Sequence, residues 1–149
     1  MAGGPELGSA GSAGARGHLR PGRLDACLVA GGLYHDIDYA RRELLGLLGE
    51  HDNVRVTVRD DWEDTAAIAA SALVVSYTCD VRPSGAAQES LDSWVRQGGR
   101  LVALHGTNSA LEVGGPGGVV APRCFDTFAR TLGSQFVAHP PIGAYEVEN

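Results

Sequence analysis

The chain is poor in cysteine, has a deficit of basic charge and contains no long apolar run. Its three cysteines, Cys27, Cys79 and Cys124, are odd in number, widely separated and never paired as Cys-x-x-Cys. Such spacing argues against a disulfide framework and against a cysteine zinc site, and makes a reducing, cytoplasmic setting the expectation. No window approaches the roughly 18 apolar residues that span a bilayer, and the first residues hold no apolar segment of the signal-peptide kind. No membrane partner is therefore expected. Lys and Arg total 12 against 18 Asp and Glu, giving a net charge of −6 and a pI near 5.2. A phosphate-tracking surface needs the opposite balance, so nucleic acid is not an expected partner and a small neutral or cationic ligand suits the chain better.

What is present is ordinary for a globular domain: 44% apolar and 20% charged residues, with 21 glycines the one excess. A chain of 149 residues can bury about two thirds of its unfolded surface in one core. Residues 1–23 are Gly, Ala and Ser with scattered polar groups and no apolar period, the composition of a disordered tail. The folded domain is then 24–149.

Within it, apolar strand-like runs alternate with amphipathic helices. Residues 24–30 read as the first strand, followed by the loop Gly31-Gly32-Leu33-Tyr34-His35-Asp36 and a helix over 37–49 with Ile37, Ala40, Leu44, Leu45, Leu47 and Leu48 on one face. Residues 53–59 alternate Val54, Val56 and Val58 with Arg55, Thr57 and Arg59, the period of a half-exposed edge strand. A short Ala-rich helix ends near Ser71, 72–77 form the third strand, and 83–97 form a helix with Ala87, Leu91, Trp94 and Val95 inward. The run at 100–104 reads as the central strand. Gly114 to Gly118 make a flexible excursion, 122–132 a helix with Phe125, Phe128, Ala129 and Leu132 on one face, and 144–147 the start of another strand. This alternation predicts a three-layer α/β/α domain with a mostly parallel sheet, flavodoxin-like in kind.

In such sheets ligands gather at the carboxyl ends of the strands, so the loops holding His35, Cys79, Asp80 and His105 form one rim, onto which the His139 segment can fold back. His35, His105 and His139 are candidate ligands for a divalent metal such as zinc, although no short His-x-x-x-His spacing enforces their convergence. The alternative is that they hydrogen-bond a sugar or brace loops, with His105 a general acid or base. Asp80, with no helix signal directly after it, is the carboxylate candidate for catalysis. Asp36 precedes a helix and is either its N-cap or a ligand-binding group. Tyr34, Thr107 and Asn108 complete the binding candidates. Cys79 reads as a buried structural thiol, because nothing adjacent would lower its pKa. Gly31-Gly32 lacks the full Gly-x-Gly-x-x-Gly fingerprint, so no nucleotide is expected.

Three separated stretches carry a resemblance. Gly31-Gly32 through His35-Asp36, the segment from Gly99 through Leu104-His105-Gly106, and Gly133-x-x-Phe136-x-x-His139-Pro140-Pro141 occur in the order found in the ThuA-like (trehalose utilisation) family. The resemblance spans 24–149. It implies a fold similar to class I glutamine amidotransferases, in which a catalytic cysteine sits at the sharp turn after a central strand. Here that position is most nearly His105, so the resemblance implies a protein that is not a glutaminase. It implies instead a role in the metabolism of trehalose or related disaccharides and their keto forms. The expected activity is a hydrolase or isomerase-type step on a small-molecule sugar. The alternative is a non-catalytic sugar-binding or interaction module, and a homo-oligomer is compatible with either. Members of the family continue past the position of Asn149, so the chain reads as incomplete at its C-terminus. The Gly114 to Gly118 insert departs from a tighter acidic or aromatic stretch.

Overall fold

The computed structural model describes residues 22–113, 119–139, 143, 144, 146 and 147. Nearly all of the expected tail lies outside these residues, as do the 114–118 insert, Pro140, Pro141 and Tyr145.

From the N-terminal side the elements are β1 (Leu24–Gly32), α1 (Ile37–Gly49), β2 (Val54–Arg59), α2 (Thr65–Ala69), β3 (Leu73–Cys79), α3 (Gly85–Arg96) and β4 (Arg100–Leu104). A single tight helical turn follows at His105–Asn108, then a small ribbon of β5 (Glu112–Val113) and β6 (Val119–Val120), and α4 (Asp126–Leu132). The first four strands make one sheet in the order β2-β1-β3-β4, with every neighbouring pair parallel. This follows the flavodoxin-like order of doubly wound sheets. β5 and β6 pair antiparallel.

The sheet divides the core in two. On one face Cys27, Val29 and Val74 pack against Trp62, Ile68, Ala87, Leu91, Trp94 and Phe128, contributed by α2, α3, α4 and the loop before α2. On the other, Leu28, Ala30 and Val75 pack under Ile37, Leu44, Leu45 and Leu48 of α1. Alternate residues of one strand thus feed opposite layers, which is why β1 is an unbroken apolar run.

Helix starts are set by side chains that accept a bond from an otherwise orphaned N–H: Asp36 from Tyr39 at 2.9 Å, Asp64 from Ala67 at 2.9 Å and Ser84 from Ala87 at 3.2 Å. Glu63 ties two rim loops together, accepting from the Ser84 N–H at 2.8 Å and its hydroxyl at 2.7 Å. The Ser84 backbone bond, followed by the hydroxyl bond, holds the Glu63 carboxyl below its ordinary value.

Four expectations need correction. β4 is not central: among the described residues it pairs only with β3, and Val102 is 46% exposed. An apolar run reports covered faces, but the number of hydrogen-bonded neighbours is decided by sheet order, and β1 and β3 take the middle. Leu47 of α1 is exposed rather than inward. The last helix begins at Asp126, not at 122, because Phe125 adopts a left-handed conformation, φ 61°, that no α-helix continues through. Beyond it, Ala144, Glu146 and Val147 belong to no strand.

Candidate functional site

The carboxyl ends of β1, β3 and β4 lie side by side, and each is followed by a non-glycine residue in the left-handed region: Tyr34 (φ 69°), Asp80 (φ 56°) and His105 (φ 50°). Such a residue costs on the order of 1 kcal/mol or more and persists only where its surroundings over-determine it. Each one turns the chain sharply out of the sheet. β1 runs two residues past its apolar stretch, pairing Gly32 with Cys79, and the Leu33 N–H continues the pairing onto the Cys79 carbonyl at 2.9 Å. Gly32 has φ 106°, and a Cβ there would collide with that same carbonyl. The glycine therefore lets β1 lean over the end of β3, and the turn at Tyr34 aims the next side chain toward β4.

The consequence is a pair of imidazoles. His35 and His105, whose strands β1 and β4 flank β3, meet with Nε2 to Nε2 at 3.1 Å and ring centroids at 4.3 Å, edge to face. Tyr77 of β3 stacks on His105 at 5.5 Å with planes 16° apart and meets His35 edge-on at 6.4 Å. Partial removal from water, and then the neighbouring His105, hold His35 below the ordinary imidazole value. A contact between two ring nitrogens needs one donor and one acceptor, so the neutral pair carries a single proton between its facing nitrogens.

This pair opens onto a cleft of about 410 Å³. One wall is the rim itself, with Tyr34, His35, His105, Gly106, Asn108 and Ser109, and Cys79 below. The rest of the lining, a second wall, is Leu111 just before the ribbon, Val119 of β6, and Phe136 and His139 from the segment after α4. The second wall is pinned by the Phe136 N–H on the Asn108 carbonyl at 3.3 Å, the Ala121 N–H on the Val137 carbonyl at 2.8 Å, and a bridge between Val120 and Ala138.

The remaining candidates divide. Tyr34 and Asn108 line the cleft, Asn108 also donating to the Ser134 hydroxyl at 2.9 Å. Thr107 does not line it: it is buried beneath the turn, donating to the Leu104 carbonyl at 2.7 Å and accepting from the Thr78 N–H at 3.3 Å. Asp80 also stays out of the cleft, accepting from the Leu111 N–H at 2.9 Å and from Arg82 Nε at 3.2 Å. It braces the second wall. Asp36 caps α1 and borders a separate hollow with Asp38, Arg41 and Asp60 on the other side of His35. Burial pushes the Cys79 thiol up, so it is a poor nucleophile, and its sulfur rests 4.0 Å from the Ser109 hydroxyl.

The three histidines expected to share a metal, His35, His105 and His139, all line this cleft. Among the described residues no three His, Cys, Asp or Glu side chains are grouped to hold a metal ion. His35 and His105 are joined by the strand ends, whereas His139 enters from the second wall beside Phe136, 5.9 Å between ring centroids. The cleft residues that sequence reasoning passed over are Leu111 and Val119. Tyr77 had a signal in hand, an aromatic near the end of an apolar strand, but only its register opposite Leu104 puts it beside His105. No family model, curated protein or solved structure matches the chain at a significant level.

Proposed function

We propose that the protein is an enzyme of carbohydrate metabolism, acting on a keto-sugar related to trehalose by an isomerase-type proton transfer. The ThuA-like resemblance suggests the substrate, and the contact of His35 with His105 at 3.1 Å is the observation that carries the chemistry. One neutral imidazole nitrogen removes the proton from the carbon next to the sugar carbonyl, while the protonated partner donates to the carbonyl oxygen, giving an enediol. Returning the first proton to the former carbonyl carbon, and withdrawing one from the hydroxyl of the carbon that lost it, yields the isomer with the pair back in its starting state. Both roles need imidazole nitrogens within reach of one small molecule, which a histidine pair at a strand-end cleft supplies. A thioester mechanism has no nucleophile here, since His105 occupies the turn and Cys79 is buried.

The test is solvent-deuterium exchange into a keto-disaccharide, followed by NMR, with binding measured in parallel by calorimetry. His35→Gln and His105→Gln should each slow exchange by about 100-fold or more while changing affinity only a few-fold. Binding with no exchange in the parent protein replaces this reading by a non-catalytic sugar-binding module. Absence of binding removes the sugar assignment. Chelation before the assay separates a metal-free pair, which keeps its rate, from a metal held with the pair, which loses it.

A further inference from the structure

We infer that the substrate is an uncharged keto-sugar whose polar part, handled by the imidazole pair, is joined to an apolar group of aromatic size, as in the keto form of an aryl glycoside. This deepens the reading of the cleft as the site of a sugar-acting enzyme and rests on it. Among the described residues no Asp, Glu, Lys or Arg lines the cleft, and the sequence contains no lysine at all. Asp80, just outside it, is spent on the Leu111 N–H and Arg82, and Arg82 in turn donates to the Leu111 carbonyl at 2.9 Å. A phosphate or carboxylate taken from water into such a cleft would find no arginine in the lining to hold it bidentately.

The two walls differ in kind. The rim offers His35, His105 and Asn108 as hydrogen-bonding groups, whereas the second wall offers the half-buried side chains of Leu111, Val119 and Phe136. A free disaccharide carries hydroxyls over its whole surface, so seating it would strip water from those that meet the apolar wall and give them no partner. A ring or short alkyl group on that side removes the conflict and gains from burial. The volume of about 410 Å³ is within the ordinary range for sites that hold a molecule of this size.

The experiment is calorimetry with phenyl glucoside, trehalose, trehalose phosphate and phenol, on the parent protein and on His105→Gln, Val119→Thr and Phe136→Ala. Val119→Thr keeps the shape of the wall and adds only a hydroxyl, so it reports on polarity even if Phe136→Ala folds poorly. Phenyl glucoside should bind about tenfold or more tighter than trehalose, with trehalose phosphate weakest. The preference should shrink in Val119→Thr, while His105→Gln weakens both neutral sugars alike. Trehalose binding as tightly as phenyl glucoside, with the His105 dependence intact, overturns the inference and leaves the sugar reading standing. Tightest binding of the phosphate also overturns it. Phenol binding as well as phenyl glucoside, indifferent to His105→Gln, overturns the sugar reading and leaves only an apolar pocket. If none of the probes binds, both fall.

Discussion

β1 and β4 look alike as sequences and behave differently as strands. Leu24–Gly32 and Arg100–Leu104 are both short apolar runs that end in a turn bearing a histidine of the cleft. Yet Ala26, Cys27, Leu28, Val29 and Ala30 are at most 1% exposed, while Val102 is 46% exposed. The difference lies in neighbours: β1 has β2 on one side and β3 on the other, and among the described residues β4 has β3 alone. The site joins the two kinds of strand, for His35 hangs from the buried β1 and His105 from the edge. One half of the imidazole pair is anchored in the best-packed part of the molecule and the other in a part with fewer constraints. The strained turn at His105 is therefore held chiefly from below, by Thr107 and Ser109 bonded into the β3 end.

The same substitution made in both strands tests this contrast most severely. Val29→Asp places a carboxylate in a dry layer at a cost of at least about 3 kcal/mol, a large part of a typical total stability of about 5–15 kcal/mol. Its cooperative melt, followed by circular dichroism, should be lost or shifted far down. Gly32→Ala comes next, at about 1–3 kcal/mol, because the left-handed backbone and the Cys79 carbonyl both reject a Cβ. The contrasting change is Gly46→Ala in α1, where nothing lies near the added methyl. There a urea titration should show a gain of about 0.5–1 kcal/mol. Val102→Asp on the edge should cost within about 0.5 kcal/mol. An equal loss for Val102→Asp and Val29→Asp would mean that β4 is covered in solution, and the comparison would collapse.

The smallest expected effect is a pH dependence that links the two strands. His35 binds its proton less readily folded than unfolded, so its contribution is fully present above the unfolded value of about 6.5 and declines as pH falls through the interval down to the lowered folded value. Urea midpoints measured between about pH 8 and pH 5 should fall on the acid side in the parent and fall less in His35→Gln. An identical acid limb in both would assign the loss of stability to other groups.

Much of the architecture was legible from pattern. The continuous runs at β1 and β3 announced strands covered on both faces, the alternation of Val54, Val56 and Val58 announced the outer strand β2, and Asp36 before Ile37 announced a helix start. The rim loops holding His35, Cys79, Asp80 and His105 follow from that alternation. What pattern did not carry was the position of β4 in the sheet, the start of α4 at a left-handed Phe125, and the fate of each rim side chain. Asp80 and Thr107 looked available and are consumed by backbone N–H and carbonyl groups of the turn. Gln88 of α3 is buried and accepts from the Phe128 N–H at 3.3 Å, 40 residues away in sequence. Satisfying buried backbone groups is a constraint between distant segments, and no local window contains both partners.

By itself the sequence determined the period of each element, its caps and its breaks, because those depend on residues within a few positions of one another. That was enough for the α/β class and for the loops on which His35 and His105 sit. Only the tertiary structure decided that these two imidazoles meet and that His139 joins their cleft from the segment after α4. The site depends on β1 overrunning its apolar stretch to pair Gly32 with Cys79, on Tyr77 lying in register with Leu104, and on a ribbon, with Leu111 just before it, that brings Val119 to the cleft. Each is a relation between residues far apart in the chain, set by hydrogen-bond register and close packing, and neither force acts until the strands are side by side.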